Sequence, residues 1–351
     1  MKIAPAKLAL DGNILALIND IVKEQNQHQL MDSAHKALEM ATGYQGNNLQ
    51  ILTQDNILSY FIYLFPKAYL AGKTLFGSFA KSRRAKDLSI LEPGCGLAPA
   101  TFAILNSINI SRFEKIHIYL NDMEKPVLEF AEKLLRKTFP SRKIKIKLLE
   151  GSFDNHISGI TSPFDIIFLS FSLEELAGTS VDTSLELIVR LRQLLKNNGR
   201  IFITQPADKA RSTTIMYMRN HIPEYILAPC THNQMCPLLR EDSWCHFTYP
   251  WSKPPVLQNI FYKLGCDLPD IKFSYLVISK KKVAKFPTSA RIITPIHDQK
   301  GKVEFKICGT QGISNCMVLK RDMQDRDLTY KQNGLIDLEG KDEKYPKFKI
   351  L

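Results

Sequence analysis

No apolar run in this 351-residue chain is long enough to cross a bilayer. The longest, NILSYFIYLFPKAYL, is interrupted by Asn56, Pro66 and Lys67, which argues against a membrane anchor and leaves a core helix. The N-terminus, MKIAPAKLALDGNILALINDIVKEQ, lacks the long apolar segment of a signal peptide, and its Asp11, Asp20 and Glu24 are out of place in a transit peptide. A cytoplasmic location of the bacterial type is therefore expected, with the mitochondrial matrix as the alternative. No membrane partner is expected. Acidic residues are in deficit as well, 35 against 47 Lys and Arg, leaving a net charge of +12. Such an excess favours a polyanionic partner, nucleic acid first, because each neutralised phosphate releases counterions. The basic residues cluster as KSRRAK over 81–86, RKTFPSRKIKIK over 136–147 and KKKVAK over 280–285. Any one run reads as a solvated face; together they favour nucleic acid. Cysteine is scarce, seven in all, yet three fall within APCTHNQMCPLLREDSWCHF.

What is present suffices for a sizeable core, at 44% apolar residues. Residues 1–80 read as helical, with LALINDIV and MDSAHKALEMA carrying apolar residues at three- and four-residue spacing. From Asp87 short apolar runs alternate with amphipathic stretches: LSILEPG, KIHIYLND, IKIKLLEG, FDIIFLSFS and IFITQP, each separated by a helical pattern. That alternation predicts an α/β, Rossmann-like core with a parallel sheet and right-handed crossovers over 81–210. Residues 211–351 read as a cysteine-containing insert followed by a β-rich extension, to which FSYLVISKK, KVEFKICG and SNCMVLKR are assigned.

In LSILEPGCGLAPAT a strand ends at Glu92 and is followed by Gly94 and Gly96 before a helix, a turn in which the backbone can approach a ligand at free helix N–H groups. Asp122 closes the second strand, where a carboxylate can accept from ribose hydroxyls. A dinucleotide site would show GxGxxG; this series continues to Ala98 and Pro99. The E-x-G-x-G form with Asp122 resembles the class I S-adenosylmethionine-dependent methyltransferases. The resemblance implies a cofactor site of Glu92, Gly94, Gly96, Asp122, Ser152 and Ser170. Two departures stand out: Ala98 replaces a third glycine, and Ser152 stands where an acid often follows the third strand, with Asp154 displaced. The fourth strand leads into LSFSLEEL, which lacks the Asn/Asp-Pro-Pro-Tyr loop used to hold an exocyclic amine, and no Pro-Cys and Thr-Cys pair suits pyrimidine C5 methylation. Cys95 reads as a packed residue, and no catalytic base is assigned.

Cys230, Cys236 and Cys245 lie five or more residues apart with Pro229 and Pro237 stiffening the stretch. In a reducing compartment clustered thiols favour a metal over disulfides. His232, His246, Cys266, Cys308 and Cys316 are each candidates for a fourth ligand on spacing alone. The pattern A-P-C-x-H-x-x-x-C-P-L followed by W-C-H-F, with FSYLVISKK, Arg291 and FKICGTQG following in order, resembles the Rsm-twenty-two family of small-ribosomal-subunit methyltransferase-like proteins, over roughly residues 87–320. That resemblance implies a 4Fe-4S cluster on Cys230, Cys236, Cys245 and Cys308, with zinc as the alternative metal, and His232 and His246 beside the centre rather than in it. It also implies a monomer acting on the small ribosomal subunit and its rRNA during assembly and translation. Two further functions remain open: an active rRNA methyltransferase, and a zinc-stapled methyltransferase of another substrate. The segment YKQNGLIDLEG departs from the ending the family would lead one to expect.

Overall fold

The structure, a computed structural model, describes residues 7–45, 52–79, 86–160, 162–285, 288–323, 332–337 and 349–350. Three helices come first: α1 (Gly12–Lys23), α2 (Gln27–Gln45) and α3 (Ile57–Gly77). Pro66 lies inside α3 instead of ending it. An interior proline costs about 3 kcal/mol, but Phe61, Phe65, Tyr69 and Phe76 are almost wholly buried around it. Burying such side chains yields roughly 1.5–3 kcal/mol each, so tertiary packing overrides the local break.

The Rossmann-like unit then runs β1 (Asp87–Pro93), α4 (Pro99–Ser107), β2 (Lys115–Asp122), α5 (Lys125–Thr138), β3 (Ile144–Glu150), α6 (Phe153–Ile157), β4 (Phe164–Ser170), α7 (Leu173–Ala177), α8 (Val181–Gln193) and β5 (Leu195–Pro206). After it come α9 (Lys209–His221), β6 (Ile226–Ala228), β7 (Phe247–Tyr249), α10 (Pro255–Tyr262) and β8 (Ile271–Ser279). The sheet order is β3-β2-β1-β4-β5-β8-β6, with β7 also on β8. β1 to β5 are parallel, and β8 is antiparallel to β5, from Arg200 opposite Ser279 to Pro206 opposite Phe273. This is the mixed sheet of a methyltransferase-like Rossmann fold, covered on one face by the N-terminal helices and on the other by α7 and α8.

A smaller antiparallel sheet follows: β9 (Ser289–Ile292), β10 (His297–Gln299), β11 (Lys302–Gly309), β12 (Gly312–Leu319) and β13 (Leu335–Asp337). Its core includes Ile292, Val303, Phe305, Ile307 and Val318. The sequence reading therefore needs one correction: FSYLVISKK belongs to β8 of the large sheet, not to the β-rich extension. Its residues from Phe273 to Ile278 are all buried, which a strand achieves only with cover on both faces, and the place beside β5 provides it.

Candidate functional site

The chain beyond β1 turns sharply to bring the N-terminus of α4 to the carboxyl ends of the strands. Gly94 and Gly96 both take left-handed backbone, φ 58° and 51°. At Gly94 a Cβ would sit 2.7 Å from Cβ of Ser172, so nothing larger fits without a shift. Ala98 adopts the same conformation, φ 57°, where a glycine would do so without the roughly 1–2 kcal/mol penalty. The missing third glycine is thus a cost the turn bears.

These loops wall a cavity of about 790 Å³. Gly94, Gly96, Asp122, Ser152 and Ser170 line it, joined by Asn121, Met123, Phe153 and Phe171, which the sequence did not single out. Asp122 accepts the Gly96 N–H at 2.8 Å through Oδ2 and a longer bond from Glu124 N at 3.4 Å through Oδ1. Burial raises its pKa despite those bonds. The Ser170 hydroxyl is buried and has no hydrogen-bond partner among the described residues. An orphaned donor of this kind costs about 1–3 kcal/mol and suits a polar ligand in the cavity. Glu92 is placed differently from the sequence expectation. It is fully buried and absent from the cavity wall. Its carboxylate accepts from Ala100 N at 3.2 Å, Thr101 N at 2.8 Å and Thr101 Oγ1 at 2.6 Å. Desolvation pushes its pKa up to about 7. Glu92 caps α4 from within and fixes the loop, since Ala98 offers no capping side chain.

The second constellation sits where the cysteine loop passes between β8 and the small sheet. The Cys245 carbonyl accepts from Ser274 of β8 at 2.8 Å, and Arg291 of β9 donates to Pro229 O at 2.8 Å. Cys308 on β11 lies in register with Arg291. All four expected cysteines border this junction. Burial raises the Cys245 thiol well above its ordinary value, and Cys230, Cys236 and Cys308 each raise it further by their charge. Cys308 is pushed up to about 12 by burial, then by Cys230 and Cys236; Cys236 is raised by burial and by Cys230. Every pair among the four is therefore within electrostatic reach. Among the described residues no group of three His, Cys, Asp or Glu side chains is drawn close enough to grip an ion as placed.

Cations surround the thiols. Arg219 of α9, only 2% exposed, donates to Cys230 Sγ at 3.3 Å, to the Gln234 carbonyl and to His232 O at 2.6 Å. Lys285 donates to the Ile226 carbonyl and to Cys230 O at 2.9 Å, and burial lowers its pKa to about 8. Neither these two nor Arg291 forms an ion pair with a carboxylate among the described residues. His232 joins the group as a neutral imidazole: burial and then Arg219 lower its pKa to about 4. Because Arg219 Nη2, 3.2 Å from His232 Nδ1, can only donate, Nδ1 accepts and Nε2 bears the proton, 3.6 Å from Cys308 Sγ. His246 stacks on Trp244, its Nδ1 3.3 Å from Trp244 O. Arg219 is the residue that sequence reasoning missed; nothing in KARSTTIMYMRNHI marks it.

Residues 54–333 match the family described as mitochondrial small ribosomal subunit Rsm22. The chain belongs to the Rsm22 family. No curated protein matches the sequence. Among solved structures, a putative class I S-adenosylmethionine-dependent methyltransferase from Listeria monocytogenes is 14% identical, with 63% of this chain and 61% of that one covered and a TM-score of 0.38. A putative RNA methyltransferase from Pyrococcus horikoshii is 11% identical, covers 62% and 84%, and scores 0.37. TrmN from Thermus thermophilus is 14% identical, covers 62% and 52%, and scores 0.38. The matched part spans less than two thirds of the Listeria and Thermus chains, and so distant a likeness says nothing of substrate.

The basic runs of this Rsm22 protein are partly consumed by its own fold. Lys280 donates to the Arg192 and Gln193 carbonyls at the end of α8, at 2.6 and 3.0 Å, and Lys143 to Ser111 O and Phe113 O. Arg136 pairs with Glu132 and Lys137 with Asp20. Lys281 and Lys282 are exposed, as is Lys145 on the edge strand β3. Residues 81–85 lie outside the described residues. No described helix is long and apolar enough to cross a membrane.

Proposed function

We propose that this chain is a factor of the small ribosomal subunit that binds rRNA through its basic surface. It carries a metal–thiolate centre on Cys230, Cys236, Cys245 and Cys308, and it takes an S-adenosylmethionine-type cofactor in the cavity. The family description supports the ribosomal partner. The observation that carries the metal is the clustering of four thiols within electrostatic reach of one another beside three cations that pair with no carboxylate among the described residues. Buried charges are costly unless compensated. Four thiolates around a zinc ion or an oxidised four-iron core leave a net charge of about −2, which such a cationic surround balances, whereas four neutral thiols do not. The donor set fits either metal; the resemblance of the cysteine signature favours 4Fe-4S. When bound, the metal ties the insert to the small sheet, so its binding contributes to folding.

For the cavity, Asp122 is placed to accept from ribose hydroxyls, the glycine loop to approach the ligand closely, and Ser170 to bond a polar group beyond. Asp122→Ala is expected to weaken S-adenosylhomocysteine binding about 10- to 100-fold, the worth of hydrogen bonds to a charged group, as read by calorimetry. Unaltered affinity would place the nucleoside elsewhere. The cavity extends past the glycine loop to α3 and to residues 269–272. That extension favours, as a second reading, methyl transfer to rRNA, for which positioning a reactive sulfonium against an acceptor supplies much of the rate.

The rRNA interaction has its own test. Reversing Lys281 and Lys282 to glutamate should weaken binding to small-subunit rRNA and reduce the slope of log affinity against log salt by roughly one for each phosphate no longer neutralised. An unchanged slope removes this patch. Lys280 is left alone because its loss would uncap α8.

A further inference from the structure

One charged side chain on the cavity wall that is not exposed has no partner among the described residues. Along α3, Tyr60, Tyr63, Leu64 and Lys67 form the helical stripe that faces the cavity. The first turn of this stripe lies over the glycine loop: a Cβ on Gly96 would come within 3.5 Å of the Tyr60 hydroxyl. Lys67 Nζ lies 3.2 Å from the centroid of the Tyr63 ring. It makes no hydrogen bond and no ion pair among the described residues. A tyrosine face offsets part of the missing anion, but the site is still that of a cation awaiting one.

The charges around it say what kind of group fits. Two lysines and no arginine line the cavity among the described residues, and the other, Lys272, is exposed. The carboxylates are Asp122, Asp154, Glu174, Glu175, Asp208 and Asp270. Arg211 pairs with Glu174 and Asp208, and Arg190 with Asp154. An anionic group entering so acidic a space meets one sheltered cation, Lys67, since Lys272 faces solvent. The sheet order also gives the cavity two ends. Asp122, Met123 and Ser152 follow β2 and β3 and form the nucleoside end; α3 and Ser170 bound the other.

We infer that Lys67 receives the α-carboxylate of the cofactor's methionyl tail, an assignment that rests on the cofactor reading above. The ammonium supplies the opposite charge and Tyr63 holds it at the wall through its ring face. Burial, and then Lys253, lower the Lys67 pKa to about 7 in the free protein. A carboxylate beside it raises that value, so binding takes up a proton above pH 7. Affinity is then strongest at low pH and falls as pH rises from about 7 through the pKa of the complex.

The experiment is calorimetry of the full chain with S-adenosylhomocysteine, which carries the carboxylate, and with 5′-methylthioadenosine, which lacks the amino-acid end. Lys67→Met keeps the stem and is expected to lose about 10- to 100-fold in affinity for the first and little for the second; Lys67→Arg should recover most of the loss. At pH 8, in two buffers of different ionisation enthalpy, the wild type should take up protons on binding S-adenosylhomocysteine and Lys67→Met should not. Equal loss for both ligands, or no loss for either, would overturn the assignment. Binding of neither ligand by the wild type would sink the cofactor reading itself, and the assignment with it.

Discussion

Cys308→Ser is expected to strip the metal from the protein and to lower its stability by about 3 kcal/mol or more, a fall in Tm of the order of 10 °C for a chain of this size. The effect is large because of where Cys308 stands. It is the proposed ligand on β11, in the small sheet, while Cys230, Cys236 and Cys245 come from the stretch between α9 and β7. A serine hydroxyl does not ionise as a thiolate does, so this substitution removes the tie between the two segments as well as one donor. It also leaves the buried Arg219 and the half-buried Lys285 and Arg291 with less charge to face, and His232 Nε2 without its sulfur. The measurement is anaerobic purification followed by an absorption spectrum and iron, sulfide and zinc analysis of wild type and variant. A single four-cysteine cluster requires about four irons per chain in the wild type. Cys95→Ser and Cys316→Ser are the controls: Cys95 is buried within the glycine loop and Cys316 in the core of the small sheet, and both variants should keep the metal. One zinc and no iron would change the metal and leave the staple. A metal-free wild type would overturn the centre.

Gly94→Ala should abolish cofactor binding and cost about 2–5 kcal/mol of stability. Two penalties add. A left-handed residue with a Cβ costs roughly 1–2 kcal/mol, and overpacking a filled site roughly 1–3 kcal/mol. The atom in the way, Cβ of Ser172, lies only 2.7 Å from the new methyl, and it is not free to yield. Ser172 is buried and its hydroxyl donates to Pro93 O at 2.8 Å, which locks the start of α7 to the end of β1. Relief must come from the loop, and the loop forms the floor of the cavity. Calorimetry with S-adenosylhomocysteine and a thermal melt read the two effects separately. Wild-type affinity in a folded variant would show that the ligand does not approach this turn. Ala98 makes the contrast: it shares the conformation, but its Cβ is already accommodated, so the strain there is borne without loss of the fold.

The candidate sites were legible to different depths. Five of the six residues expected at the cofactor site line one cavity, because glycines and acids at strand ends carry their meaning in local backbone geometry. Glu92 occupies the same stretch of sequence but turns inward, since α4 begins without a capping side chain and its N–H groups need an acceptor. Short-range pattern could not choose between those two uses of a carboxylate. The basic runs show the same limit. Charge counts alone do not separate Lys281, which faces solvent, from Lys280, which closes α8, or from Lys285, which reaches into the cysteine loop.

The sequence by itself determined the alternation of strands and helices, the glycine turn, the position of Asp122 and the concentration of thiols, all of which depend on residues near one another in the chain. Only the tertiary structure decided that FSYLVISKK completes the large sheet, that Pro66 is held within a helix, that Cys308 comes within electrostatic reach of the other three cysteines, and that Arg219 and Lys67 pair with no carboxylate among the described residues. Each of these depends on which distant segments pack together, and burial sets the energy of a charge, a strand or a proline through neighbours that local sequence does not name.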